Sequence, residues 1–320
     1  MPSPWLSVIL PTYNGEAYLA EALESVAAEA DDRLEVVAID DGSTDRTPEI
    51  LRQFADRLPM QVLTRPREGN WVANTNRGLA AAEGEFACIL HQDDLWMPGR
   101  LATIGRLLDE HGDLTLLLHP SFYIDASGRR VGMWRCPLPP GRPLPPELVM
   151  RRLLVQNFIA IPAPVFRRQT ALDLGGMEPR WRYTADWDLW LKLSAAGPTL
   201  YHAEPLSCFR IHAAAQTVGC AADRDAFRAE LLATLEHHLA ACRERGIEPS
   251  AGLQRVARFS IDVNAALGAW LHGRRPPFFR FFLRWLALGP VGWRRYLRDS
   301  RITERVAARL RLRKTAGKDL

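Results

Sequence analysis

The 320-residue chain has little that would place it in a membrane, a secretory route or a Gly-rich nucleotide fold. No apolar run nears the roughly 20 residues that a spanning helix needs. The opening "MPSPWLSVIL" lacks a basic n-region and a small-residue cleavage site, so no signal peptide is expected. Cysteines are few and odd in number: Cys88, Cys136, Cys208, Cys220 and Cys242 are scattered, and no two form CxxC. Reduced thiols in a cytoplasmic protein are the expectation. Neither GxGxxG nor GxxxxGK[ST] follows the first apolar run, which disfavours a dinucleotide fold of the usual kind and a P-loop. No internal repeat is present. Apolar content of 47 % and charged content of 24 % are ordinary for a folded protein. The length suits one large domain with an appendage.

Net positive charge is also missing from most of the chain. The net charge is +4, yet residues 274–314 alone hold thirteen Lys/Arg against Asp299 and Glu304, a net of +11 that leaves −7 for the rest. The basic character belongs to the tail. It points to a partner for the tail and not to a nucleic-acid-binding core.

What is present is alternation. "LSVILPTY", "LEVVAID", "MQVLT", "EFACILH" and "LTLLLHP" read as short strands, the first of them buried by its length and branching. Between them, "EAYLAEALESVAAEA" puts Tyr18, Leu19, Ala22, Leu23 and Val26 on one helical face. Thr47 is expected to cap a helix with Pro48 at its first position. "ANTNRGLAAAEG" and "GRLATIGRLLDEHG" read as helices too. This is an α/β pattern with a mostly parallel sheet covered on both faces. "FYIDASGRRVGM" then reads as a hairpin, "CPLPPGRPLPP" as a loop, and "YTADWDLWLKLSAAG" as a helix ended by Gly197-Pro198. Beyond about residue 215 the pattern is helical.

Open parallel sheets bind ligands at the carboxyl ends of their strands. The polar loops there are "PTYN", "DDGSTD" and "HQDD". Without a Gly-rich cradle, a phosphate is best approached through a divalent cation held by carboxylates, and Asp93 stands directly after a strand. Taken alone, paired acids after a strand also suit a helix cap or a solvated turn, and Asp94 fits cap and ligand equally.

"SVILPTYNGEAYLAEALESV", "VVAIDDGSTDRT", "LHQDDLW" and "ADWDLWLKL", in this order, resemble the family 2 glycosyltransferases. The resemblance covers roughly residues 5 to 215. It implies a GT-A fold, Rossmann-like with a mixed, mostly parallel sheet. It also implies transfer of a sugar, with inversion, from a nucleoside-diphosphate sugar to a saccharide or glycolipid acceptor, with Mg²⁺ or Mn²⁺ bound. By the same resemblance Pro11, Thr12, Tyr13, Asp40, Asp41 and Gln92 hold the nucleoside. Asp93 holds the metal, with His91 and His212 as further candidates, and Asp186 is the catalytic base. Three positions depart from the family. His91 stands where an Asp is usual, Ala185 replaces the Glu before Asp186, and Asn74-Thr75-Asn76 replaces "ARN", so a phosphate-contacting Arg is absent. Arg65, Arg67 and Arg210 are the cations that could stand in for it. Trp71, Trp181, Trp187 and Trp190 offer faces to a sugar or to the core.

The expected domains are 1–214 for the transferase and 215–320 for a helical, basic, amphipathic extension. Segment 274–314 has the composition of a peripheral contact with an anionic membrane, which would put the protein on its cytoplasmic face; packing on the domain or on a second subunit is the plainer alternative. A sugar-phosphate nucleotidyltransferase is disfavoured by the absence of a basic, Gly-rich first loop. A degenerate glycosyltransferase that only binds a nucleotide-sugar, or scaffolds a complex, is the remaining rival.

Overall fold

A computed structural model describes residues 4–212, 224–271 and 278–307 of the chain. The first half winds β1 (Leu6–Thr12), α1 (Leu19–Ala27), β2 (Leu34–Asp40), α2 (Thr47–Ala55), β3 (Met60–Thr64), α3 (Trp71–Ala81) and β4 (Phe86–Ile89) in strict alternation. Every residue of β1 and β4 is buried, as continuous apolar strands between two helical layers must be. Leu19, Ala22, Leu23 and Val26 form the buried stripe of α1 as its spacing predicts. Tyr18 does not join them: it precedes the helix and faces the site described below.

The large sheet runs β3-β2-β1-β4-β10-β6-β11-β9. It is completed by β6 (Leu116–Leu118), β9 (Pro143–Leu144), β10 (Val165–Arg167) and β11 (Thr199–Tyr201). The first four strands in this order are parallel. The chain leaves β1 to one side for β2 and β3, then returns to its other side as β4. That reversal opens a crevice at the carboxyl ends of β1 and β4, where ligands of such sheets bind. β10 is antiparallel to both β4 and β6, so the sheet is mixed.

A second sheet, β5-β12-β7-β8, is built from β5 (Leu95–Trp96), β7 (Ser121–Ile124), β8 (Arg130–Trp134) and β12 (Ser207–Arg210). The expected hairpin is β7 and β8. Its turn is held by the Asp125 carboxylate, which accepts from the N–H groups of Ser127 (3.0 Å) and Arg129 (3.1 Å). β12 ends two residues before His212.

Two local expectations are corrected. The Thr47 hydroxyl does not cap its helix but accepts from the Gly15 N–H (2.7 Å), while Asp45 accepts from the Thr47 N–H (2.9 Å). The Pro-rich loop is not wholly irregular. Its Pro143-Leu144 pairs with β11 at the sheet's edge, where proline's missing N–H is harmless.

The remaining helices are α4 (Arg100–Glu110), α5 (Pro146–Leu153), α6 (Arg168–Asp173), α7 (Ala185–Ala196), α8 (Arg224–Glu244), α9 (Ala251–Leu271), α10 (Phe278–Leu286) and α11 (Gly289–Ser300). The boundary at 214/215 lies outside the described residues, as does Cys220. The other four cysteines are buried free thiols. Leu231, Leu235 and Leu239 of α8 and Val256 and Phe259 of α9 share one apolar core with Val149, Leu153, Trp187 and Trp190 of α5 and α7. The C-terminal helices are thus packed against the helix that carries Asp186. Among the described residues, no helix is long and apolar enough to cross a membrane.

Candidate active site

The crevice is closed at its base by Gln92. Its Oε1 accepts from the Tyr13 N–H (2.8 Å), and its Nε2 donates to the Tyr13 carbonyl (3.0 Å). This clamp joins the loops after β1 and β4. Gly15 makes room for it, because a Cβ there would lie 2.6 Å from Gln92 Oε1. Pro11 and Thr12 are buried within β1, so Tyr13, 37 % exposed, is the first of the three to present its side chain.

Asp40 and Asp41 end β2 side by side and do different work. Asp40 Oδ1 accepts from the Ser43 N–H (3.2 Å) and fixes the turn. Asp41 accepts from the N–H groups of Glu68 (2.8 Å) and Gly69 (2.9 Å) and pairs with Arg67. Burial pushes the Asp41 carboxyl up, but these N–H groups, Asn74 and Arg67 outweigh it and hold it below the usual carboxylate range. The Arg67 guanidinium lies 3.4 Å from the centre of the Tyr13 ring. Tyr13, Asp41 and Arg67 therefore form one surface. Gly42 permits it: its φ is +71°, and a Cβ would stand 2.8 Å from the Arg67 backbone nitrogen. The "NTN" that replaces the family's Arg is structural, since Asn76 Nδ2 donates to the Met177 carbonyl (2.7 Å) and its Oδ1 accepts from the Met177 N–H (2.9 Å).

At the end of β4, ligand atoms of His91, Asp93 and Asp94 lie within 4.8 Å of one another. His212 arrives from β12 and its Nε2 sits 2.9 Å from Asp93 Oδ2. The Tyr18 ring packs on His212 at 4.9 Å between centroids. Asp94 Oδ1 accepts from the Arg210 N–H (2.9 Å), so one oxygen holds β12 in place. Its Oδ2 and His91 Nε2 are buried, without a hydrogen-bond partner among the described residues. Buried polar atoms are rarely left so. Two orphaned donor atoms beside an ionised carboxylate are what a divalent cation would satisfy, and an imidazole with carboxylates suits Mn²⁺ or Mg²⁺. Burial and the adjacent Asp93 charge raise Asp94 well above the usual range. Burial opposes ionisation of Asp93 as well, but the His212 hydrogen bond and both imidazoles bring its carboxyl below the usual value. Burial lowers His91, with Asp93 opposing, so its imidazole is neutral at pH 7 and available as a ligand.

Arg210 is not free to meet a phosphate. Its Nε donates to the Asp93 carbonyl (2.8 Å), Nη1 reaches the carbonyls of Asp125 and Ala126 (both 3.3 Å), and Nη2 pairs with Glu21 (2.6 Å). It is a strut between the two sheets.

Asp186 begins α7, where the helix dipole favours an acid. Its Oδ2 accepts from Asn157 Nδ2 (2.8 Å). Burial raises its pKa to about 6, against the Trp187 N–H and Asn157; the Glu230 charge adds to the rise. Glu230 reaches over from α8 and accepts on one oxygen from the N–H groups of Tyr183 (2.6 Å) and Thr184 (2.9 Å) and from the Thr184 hydroxyl (3.0 Å). Trp71 links this corner to the His91, Asp93 and Asp94 cluster: its ring meets His91 edge-on at 5.3 Å, and its Nε1 donates to the Arg182 carbonyl (3.3 Å). Trp187 and Trp190 are core residues, 1 % and 0 % exposed.

Sequence reasoning missed Tyr18, Asn157 and Glu230 and left Asp94 undecided. Asn157 had one signal, a polar residue within the apolar "LLVQNFIAIPAPVF". Glu230 had none, because its role depends on how α8 docks.

The fold matches solved GT-A glycosyltransferases. It superposes on Staphylococcus aureus TarS 1–349 in complex with UDP-GlcNAc with a TM-score of 0.57, at 18 % identity over 98 % of this chain and 92 % of that one. It superposes on the mannosyltransferase PcManGT of Pyrobaculum calidifontis, in complex with GDP-Man and Mn²⁺, with a TM-score of 0.55, at 19 % identity over 96 % and 86 %. The glycosyl transferase family 2 profile matches residues 7–173, just over half of the chain, and the chain belongs to that family. An uncharacterized protein of Mycobacterium tuberculosis is 33 % identical over 214 residues, 65 % of this chain and 59 % of the relative. The O-antigen biosynthesis protein RfbC of Myxococcus xanthus is 29 % identical over 262 residues, 81 % of this chain but 20 % of RfbC. The chain thus spans less than two thirds of the length of these curated relatives.

Proposed function

We propose that the chain transfers a sugar from a nucleoside-diphosphate sugar to a hydroxyl of a saccharide or lipid-linked glycan, in a single inverting displacement. The observation that carries this reading is the His91, Asp93, Asp94 and His212 cluster at the β1/β4 crevice, joined through Trp71 to the Asp186 corner. Asp186 takes the proton of the acceptor hydroxyl as its oxygen bonds the anomeric carbon and the nucleoside diphosphate departs from the opposite face. A pKa near 6 leaves Asp186 ionised at neutral pH and basic enough for that task. Asn157 and Glu230 hold the carboxylate and its loop. Tyr13, with Arg67 and Asp41, offers a flat ring and a carboxylate to the base and ribose, with Gln92 and Asp40 fixing the two loops. Asp93 and His91, with Asp94 and His212 beside them, would hold a divalent ion, which supplies positive charge to the leaving diphosphate. Segment 274–314 would rest on an anionic membrane, since Phe278 and Phe279 are 79 % and 70 % exposed beside Arg280.

Thermal unfolding with UDP, GDP, dTDP or CMP, each with and without Mn²⁺, tests this. One nucleotide is expected to raise the melting temperature only with Mn²⁺, and the matching sugar nucleotide to be hydrolysed slowly by wild type and not by Asp186→Asn. Stabilisation by none of the four would favour the degenerate rival.

A further inference from the structure

A group of arginines converges elsewhere in the molecule, on a pocket of about 250 Å³ between α5, α11 and the start of α9. Arg151 and Arg152 reach it from the end of α5, Arg295 and Arg298 from α11; Asp299 and Glu248 are its acids. None of these residues belongs to the loops after β1, β2 and β4 or to the start of α7.

The two acids do not neutralise the four arginines. Asp299 is chelated by Arg298, with Nε on Oδ1 (2.6 Å) and Nη2 on Oδ2 (2.8 Å). Glu248 is 71 % exposed and lies 3.9 Å from Arg243, a cation that does not line the pocket. Arg151 and Arg295 make no ion pair among the described residues. Arg152 Nε is buried without a hydrogen-bond partner among the described residues and stands 3.9 Å from Asp299 Oδ1, too far to bond it. Burial and the neighbouring Arg298 charge hold the Arg152 guanidinium below its ordinary value, with Asp299 only partly opposing. The pocket is short of negative charge.

The backbone adds to the deficit. The pocket takes in the first turn of α9, a 21-residue helix whose Ser250 hydroxyl accepts from the Leu253 N–H (3.3 Å). The Arg295 guanidinium lies over that turn, 4.0 Å from where a Cβ of Gly252 would be. A helix N-terminus and several guanidinium forks suit an anion with several oxygens better than a single carboxylate.

We propose that this pocket is an anion site that takes a phosphoryl group through Arg151, Arg152 and Arg295 over the N-terminus of α9. The site does not rest on the transferase reading. The group arrives either free, as phosphate or pyrophosphate, or as the headgroup of a lipid. Val291, 76 % exposed and one helical turn before Arg295, puts an apolar residue at the same face of α11.

Isothermal titration of the full chain with inorganic pyrophosphate in EDTA tests the site, since EDTA removes any cation that would bridge pyrophosphate to Asp93. One binding event is expected. Arg151→Ser/Arg295→Ser should weaken it by roughly tenfold or more, the worth of a charged hydrogen bond. Asp93→Ala should leave it unchanged. Arg280→Ser/Arg294→Ser, which removes equal charge from exposed positions outside the pocket, should also leave it unchanged. The substituted side chains are at the surface or half-buried, and equal melting temperatures without ligand would show that the variants fold. No binding, equal weakening by both double variants, or loss in Asp93→Ala would each overturn the proposal. Sedimentation with phosphatidic acid and phosphatidylcholine vesicles separates the sources. Binding to the acidic vesicles that pyrophosphate displaces and Arg151→Ser/Arg295→Ser loses assigns a headgroup. Vesicle behaviour indifferent to both, with pyrophosphate binding intact, assigns free phosphate.

Discussion

Among the described residues two clusters of His and Asp stand at ligand spacing, and they differ in what stands beside them. His91, Asp93 and Asp94 lie at the crevice, and Asp188, His237 and His238 lie between α7 and α8. In the second cluster the Asp188 carboxylate is already occupied by charge: His238 Nε2 is 2.9 Å from Oδ1, and the Lys192 ammonium forms an ion pair with Oδ2 at 2.6 Å, outside hydrogen-bond geometry. Burial works against ionisation of Asp188, but these two partners bring it below the usual range. An ammonium in contact with the carboxylate repels a second cation, so this cluster fastens α8 to α7. In the first cluster, among the described residues, no ammonium or guanidinium bonds a carboxylate oxygen: the nearby Arg210 guanidinium is tied to Glu21 and to backbone carbonyls, and two buried ligand atoms lack hydrogen-bond partners. Ligand types at ligand spacing are therefore not enough; the charge state of the neighbours decides.

Substitutions at the two clusters and at Asp186 should have separable effects. The largest effect is expected on the chemistry between the clusters: Asp186→Asn should lower the transfer rate about 10³-fold with little change in donor affinity, read as kcat against KM once the donor is known. The clusters themselves should separate next. Asp93→Ala should abolish Mn²⁺-dependent stabilisation by nucleotide and leave the unliganded fold intact. Asp188→Asn should keep that response and cost about 3 kcal/mol of stability in urea unfolding, because Lys192 and His238 lose a buried partner.

The third effect is on pH dependence. With Asp186 near 6 in the folded chain and about 4 unfolded, the folded state holds the proton more tightly. The penalty for ionising it grows from pH 4 to 6 and is complete above that. Asp186→Asn should then be more stable than wild type by about 2 kcal/mol at pH 7.5, with the gap closing towards pH 4. In wild type the rate should fall as pH drops through 6, and Glu230→Gln, which removes a neighbouring negative charge, should move that limb to lower pH. The smallest effect concerns His91. His91→Asp restores the carboxylate usual in the family and should raise Mg²⁺ affinity by roughly tenfold in calorimetry. An unchanged affinity would mean that position 91 does not face the ion.

What could be read in the sequence follows the same division. β1, β2 and β4 are buried on both faces, so their apolar runs stand out, and the polar residues that end them fall at the crevice by topology alone. "DDGS" and "HQDD" were legible for that reason. The uneven roles of Asp40 and Asp41 were not, because Asp41 meets Glu68 and Gly69 across a loop. Arg210 looked like a phosphate partner on the basis of its type, and only the second sheet shows why its donors are occupied. Glu230 lies 44 residues after Asp186 on a helix with no motif, and its contact exists only because α8 shares a core with α7.

The proposed reaction needs one divalent ion at the β4 end of the crevice, where it would meet the donor's diphosphate. Anomalous diffraction from crystals grown with Mn²⁺ and the stabilising nucleoside diphosphate tests it directly. A single strong peak is expected against Asp93, near His91 and His212, with none at Asp188, His237 and His238. A peak at the second cluster, or nucleotide bound at Tyr13 with no manganese near Asp93, would contradict it.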